Sequence, residues 1–102
     1  MKEIKTILEA KEALMRYRSV VLFAKENCIH CSCMKNCIID IEKQYPLIGF
    51  YETKNNSICI SDGISEYPTV VFYEDGFEQV RITGSDNMLK IKEMLNLWIV
   101  KL

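Results

Sequence analysis

Four of the five cysteines of this 102-residue chain fall within ten positions: Cys28, Cys31, Cys33 and Cys37. Cys59 stands apart. Thiolates are strong nucleophiles and good ligands for soft metals, so such a cluster points to disulfide exchange or to metal binding. A structural disulfide framework fits poorly, because frameworks use even numbers of cysteines spread along the chain. Within the cluster, Cys28-Ile29-His30-Cys31 is a CxxC unit. A two-residue spacer lets both sulfurs reach bonding distance in the first turn of a helix. Cys28 can then attack a substrate disulfide, form a mixed disulfide, and be displaced by Cys31. His30, when protonated, places a positive charge beside Cys28 and favours its thiolate. The plainer reading of His30 is an exposed polar residue without a tuning role.

This chemistry needs a strand and a helix to position it. Val20 to Phe23 is a short β-branched and aromatic run, the mark of a strand buried on both faces. After the CxxC unit, Met34, Cys37, Ile38, Ile41 and Tyr45 recur at helical spacing until Pro46. The CxxC unit therefore sits at a strand-to-helix junction. There the unpaired N–H groups and the positive end of the helix dipole lower a thiol pKa. Upstream, Ile4, Ile7, Leu8, Leu14 and Met15 predict an amphipathic helix that starts almost at the N-terminus and ends near Arg18. Downstream, Leu47 to Thr53 predicts a strand and Ser57 to Asp62 a short helix. Thr69 to Tyr73 and Phe77 to Ile82 predict two strands joined by the hairpin signal Asp75-Gly76. Ser85 can cap a last helix whose buried face is Met88, Ile91, Leu95, Trp98, Ile99 and Leu102. The early alternation requires parallel pairing with right-handed crossovers, and the hairpin adds an antiparallel edge. The fold class is α/β: a four-stranded mixed sheet with helices on both faces, in one domain spanning residues 1–102.

The remaining thiols have competing readings. On a helix, Cys37 falls within the stripe of Met34, Ile38 and Ile41 and reads as a small core residue. Cys33 lies at the edge of that stripe. Cys28, Cys31, Cys33 and Cys37 together could also hold a metal ion or an iron–sulfur cluster. Cys31 and Cys33, however, point about 160° apart on one helix, so four thiolates converge only if that helix starts later or unwinds. A Cys33–Cys37 disulfide spans one turn with nearly parallel Cβ vectors. Cys59 reads as packing beneath the short helix, next to Ile58 or Ile60. Phe50, Phe72, Phe77 and Trp98 read as core and rim.

Composition narrows the partners. Thirteen basic and fourteen acidic side chains leave a net charge of −1, which argues against a nucleic-acid or membrane-surface protein. The longest apolar run is five residues, Val20 to Ala24, too short to span a membrane. The N-terminal segment mixes charge through every turn and shows no secretory signal, so a reducing cytoplasm is the expected setting.

The pattern as a whole resembles the thioredoxin superfamily. That family has a CxxC at this junction and, downstream, a cis-proline before a strand. Tyr67-Pro68-Thr69-Val70-Val71-Phe72 is similar to that second motif, and Gly76 and Gly84 stand like the family's hairpin and substrate-loop glycines. The Tyr-Pro-Thr triplet and the histidine before the second cysteine look more like protein disulfide isomerase domains than bacterial thioredoxin. The resemblance covers about residues 4 to 100, and the family's extra N-terminal strand is expected to be missing. It implies Cys28 as exposed nucleophile, Cys31 as partly buried resolving thiol, and a cis peptide at Pro68 facing the sulfurs. It also implies that the backbone of Tyr67 pairs with an extended substrate peptide, with Ile29 and Gly84 lining the same groove. Two positions depart from the family pattern. Asn27 stands where a tryptophan is usual. Leu22 stands where a buried acid commonly takes the proton of the resolving thiol, leaving water, His30 or Glu26 for that task. The expected protein is a monomeric thiol–disulfide oxidoreductase that needs no organic cofactor or metal. Its partners are protein disulfides and an upstream reductase. The rivals are the metal or cluster module and a noncatalytic adaptor of the same fold.

Overall fold

The computed structural model describes residues 1–84 and 86–100, with only the backbone of 99 and 100. The elements run β1 (Lys2–Ile4), α1 (Ile7–Leu14), β2 (Arg18–Phe23), α2 (Ile29–Glu42), β3 (Gly49–Thr53), α3 (Asn56–Ser61), β4 (Thr69–Glu74), β5 (Phe77–Thr83) and α4 (Met88–Val100). They build a five-stranded sheet in the order β1-β3-β2-β4-β5. β3 pairs in parallel with β1 and β2, while β4 pairs antiparallel with β2 and β5. β2 lies at the centre and all six of its residues are buried, as its continuous apolar run requires.

Side-chain alternation along the strands divides the core in two. On one face Val20, Leu22, Phe50, Val70 and Phe72 meet Cys31, Met34 and Ile38 of α2 and Ile91, Leu95 and Trp98 of α4. On the other face Val21, Phe23 and Val71 meet Ala13 of α1 and Ile58 and Cys59 of α3. Arg18 lies at the bottom of β2, 5% exposed. Its guanidinium donates to Glu74 Oε1 at 3.1 Å and to the Trp98 carbonyl at 2.8 Å, which ties β4 and α4 to the central strand.

The N-terminus corrects the sequence reading. The extra strand expected to be missing is present as the three-residue β1, and α1 begins only at Ile7. Thr6 and Glu9 form a capping box: Thr6 Oγ1 accepts from the Glu9 N–H at 3.1 Å, and Glu9 Oε1 accepts from the Thr6 N–H at 3.1 Å. The box fixes the helix start and frees residues 2–4 to pair with β3, where Ile4 is buried at 3% exposure. Ile7, Leu8 and Met15 of the expected stripe are exposed, and the helix packs through Ala10, Ala13 and Leu14 instead. Tyr45 and Pro46 lie beyond the end of α2 rather than closing it. The expected cap Ser85 and the expected buried side chains Ile99 and Leu102 lie outside the described residues. No helix among the described residues is long and apolar enough to cross a membrane.

Candidate active site

β2 ends at Phe23, and the Ala24 N–H still donates to the Thr53 carbonyl of β3 at 2.9 Å. The chain then turns through Asn27, which adopts a left-handed φ of 56°, a conformation asparagine tolerates better than most residues. Cys28 follows as the N-cap of α2, in extended conformation. Its Sγ accepts the backbone N–H of Cys31 at 3.2 Å, the bond that serine or aspartate oxygens make at ordinary N-caps. Cys28 and Cys31 are joined in a disulfide, with their Cα atoms 5.2 Å apart. Cys28 is half-buried, whereas Cys31 is 3% exposed within the sheet–helix core. The two sulfurs are therefore unequal: one is within reach of a partner and the other sits behind it. Ile29 and His30, in the first turn of α2, are exposed.

The second motif arrives at the same end of the sheet through strand register. Thr69 pairs with Phe23, so Pro68 enters β4 beside the point where β2 releases the chain toward Cys28. Thr69 also pairs with Thr83, which brings Gly84 alongside, and the Gly84 N–H donates to the Pro68 carbonyl at 2.9 Å. The Tyr67–Pro68 peptide is cis, and Gly84 has φ +97°, a backbone state that favours glycine. Lys25 Nζ stands 5.6 Å from the centre of the Tyr67 ring, linking the two loops. The Tyr67 hydroxyl bonds to the Cys59 sulfur; burial nevertheless pushes the Cys59 thiol above its ordinary value.

Cys59 is buried against Ile58, as packing requires, while Ile60 is exposed. Cys37 is not the core residue its spacing suggested, for it is exposed and lines a cleft between α2 and α4 with Met88, Lys92 and Asn96. The buried stripe of α2 is Cys31, Met34, Ile38 and Ile41. Cys37 lies about 80° from the centre of that stripe, beyond its half-width of about 50°. Cys33, farther round, is exposed as well. Among the described residues no three His, Cys, Asp or Glu side chains are grouped to hold a metal ion.

One charged group at this site was not singled out from the sequence. Glu52 of β3 is 3% exposed, and its carboxylate pairs with Lys35 of α2 at 3.0 Å. It lines a cleft of about 490 Å³ with Cys28, Cys31, Ser32 and Lys54. The available hint was an acid inside a parallel strand, where apolar residues are the rule.

The thioredoxin family model matches residues 5–97. The chain belongs to the thioredoxin family. With the CxxC pair intact and disulfide-bonded at the head of α2, it is a thiol–disulfide oxidoreductase of that family. Solved thioredoxins share its fold throughout. That of Fasciola hepatica is 22% identical and superposes with a TM-score of 0.86 over 94% of this chain and 97% of its own. The thioredoxin of Plasmodium falciparum is 18% identical, with a TM-score of 0.89 over 96% and 99%. Oxidised mitochondrial thioredoxin 3 of Saccharomyces cerevisiae is 18% identical, with a TM-score of 0.84 over 94% of each chain. Comparison with the curated proteins gave no match.

Proposed function

We propose that this thioredoxin-family protein reduces disulfides in other proteins, as a monomer in a reducing cytoplasm, and is itself re-reduced by an upstream reductase. The observation that carries this reading is the inequality of the two sulfurs. Cys28 is half-buried at the N-terminus of α2 and accepts the Cys31 N–H at 3.2 Å, while Cys31 is enclosed. In the reduced protein the same N–H and the helix dipole favour a thiolate on Cys28.

That thiolate attacks one sulfur of a substrate disulfide and expels the other as a thiolate. Cys31 then attacks Cys28 Sγ, expels the second substrate thiol, and leaves the Cys28–Cys31 disulfide. Two electrons pass from the dithiol to the substrate, and neither a metal nor an organic cofactor is consumed. Ile29, Tyr67, Pro68 and Gly84 form the docking surface, with the Tyr67 backbone offering strand-like hydrogen bonds to an extended peptide. His30 adds positive charge near Cys28 when protonated and makes the couple more oxidising. The exposed, unpaired thiols of Cys33 and Cys37 support a reducing compartment, where such groups survive.

The test is reduction of insulin disulfides by the dithiothreitol-reduced protein, together with the potential of the Cys28–Cys31 couple. A value near about −270 mV supports a reductase, and one near about −180 mV would assign an isomerase or oxidant instead.

A further inference from the structure

Among the described residues Glu52 is the one buried carboxylate, and the stability of the fold gives no reason for it. Among the described residues its one ion-pair partner is Lys35, whose side chain is 39% exposed. A hydrophobic residue commonly does as well at such a position. Its placement is informative. Glu52 is the register partner of Leu22, so both side chains leave the sheet on the face that carries Cys31. Lys35 lies four residues after Cys31 on the same side of α2. Glu52, Cys28 and Cys31 line one cleft with room for water. The position where the family commonly keeps a buried acid holds Leu22, and the adjoining strand supplies an acid to the same space. Glu26 offers no comparable environment, because its side chain is 78% exposed and stands 4.0 Å from Lys54.

We propose that Glu52, acting through water in the cleft, takes the proton of the Cys31 thiol when the mixed disulfide is resolved, and that Lys35, 3.0 Å from its carboxylate, holds that carboxylate in place. The proposal rests on the oxidoreductase reading above. In the step, the Cys31 S–H bond breaks and its proton passes through water to Glu52. The Cys31 thiolate forms a bond to Cys28 Sγ, the bond from Cys28 to the substrate sulfur breaks, and the substrate leaves as a thiolate. Glu52 then returns the proton to solvent or to that leaving thiolate. The charges around the group come from each neighbouring element. Lys35 faces it from α2, Glu3 is its exposed register partner on β1, and Lys25, Glu26 and Lys54 rim the cleft.

The test uses the reduced protein carrying Cys33→Ser and Cys37→Ser, mixed in stopped flow with 5,5′-dithiobis(2-nitrobenzoic acid). Attack by Cys28 releases the first nitrothiobenzoate, and attack by Cys31 releases the second. Glu52→Gln is expected to slow the second release about 100-fold at pH 7, the low end of general-base effects. The remaining rate then rises about tenfold per pH unit, as direct ionisation of a thiol dictates. The first release stays within about twofold, since Glu52 does not act in it. Lys35→Met retains the carboxylate without the partner that positions it, so the second release is expected to slow about tenfold while the first stays within about twofold. An unchanged second release in Glu52→Gln, in rate and in pH profile, overturns the proposal. Should Glu52→Gln fail to fold, an unchanged second release in Lys35→Met overturns it. Absence of the first release with Glu52 intact would instead overturn the oxidoreductase reading.

Discussion

Glu52 and Leu22 are register partners on adjacent parallel strands, and the Glu52 carboxylate bonds to Lys35 at 3.0 Å just behind the CxxC turn. The pair puts a charge into an otherwise apolar layer between β3 and α2. Removing the cation alone leaves the carboxylate buried without its partner. Because the Lys35 side chain is 39% exposed, the loss is that of an unsatisfied group rather than of a fully buried pair, and Lys35→Met should destabilise the fold by about 1–3 kcal/mol. Glu52→Leu with Lys35→Met removes both charges and should recover that loss or exceed it. Urea unfolding of the two variants, at constant m-value, checks the difference.

Arg18 makes a second prediction. It is nearly enclosed, holds Glu74 and the Trp98 carbonyl, and lies 5.1 Å from the Trp98 ring. Arg18→Met keeps much of the stem packing but leaves a carbonyl and a carboxylate without their donor. The expected cost is about 2–4 kcal/mol in thermal or urea unfolding. Activity per folded molecule should be unchanged, because Arg18 is at the end of β2 opposite the CxxC loop.

High pH should unfold the protein in a defined order. Burial raises the pKa of the Cys59 thiol above its ordinary 9.0, and burial raises the Tyr67 and Tyr73 phenols above their ordinary 10.0. In that range the folded chain holds protons the unfolded chain has lost. The contribution of these groups is therefore complete below pH 9.0 and falls away as pH rises through their folded values. Cys59→Ala removes the first of the three and should shift the onset of the decline from about pH 9 toward about pH 10. An onset unaffected by Cys59→Ala would show that the thiol does not titrate into the unfolding transition.

His30 bears on the redox couple. If its imidazolium stabilises the Cys28 thiolate, His30→Ala must make the reduced form less favourable and the couple more reducing. A shift of about 30 mV to more negative potential corresponds to about 1.4 kcal/mol. Equilibration against a glutathione buffer measures it, and an unshifted potential would return His30 to the role of an exposed polar residue.

The sequence made the site legible where its determinants are local. The CxxC at a strand end, the Tyr67-Pro68 dipeptide, the Asp75-Gly76 turn and Gly84 each announce a backbone event within a few residues. The structure places the CxxC, Pro68 and Gly84 at one end of the sheet and the Asp75-Gly76 turn at the other, beside Arg18. β1 escaped because three residues cannot display an alternation, and because its partner β3 lies about fifty positions away. Its trace was the Thr6–Glu9 capping box, which says where the helix cannot extend. Cys37 was misplaced because a stripe drawn through Met34 and Ile41 tolerates a neighbour on either side, and only α4 decides which side is covered. Glu52 was hidden for a different reason: its importance depends on the register of β3 against β2, which no local pattern encodes.

The central claim is that Cys28 attacks and Cys31 resolves. The direct measurement is mass spectrometry of Cys31→Ser and Cys28→Ser proteins after reaction with a disulfide-containing protein such as insulin, alongside their turnover. Cys31→Ser should accumulate a mixed disulfide at Cys28, and Cys28→Ser should form none there and lose turnover. Full activity in Cys28→Ser, or an adduct of Cys31→Ser located on Cys33 or Cys37 rather than on Cys28, would contradict it.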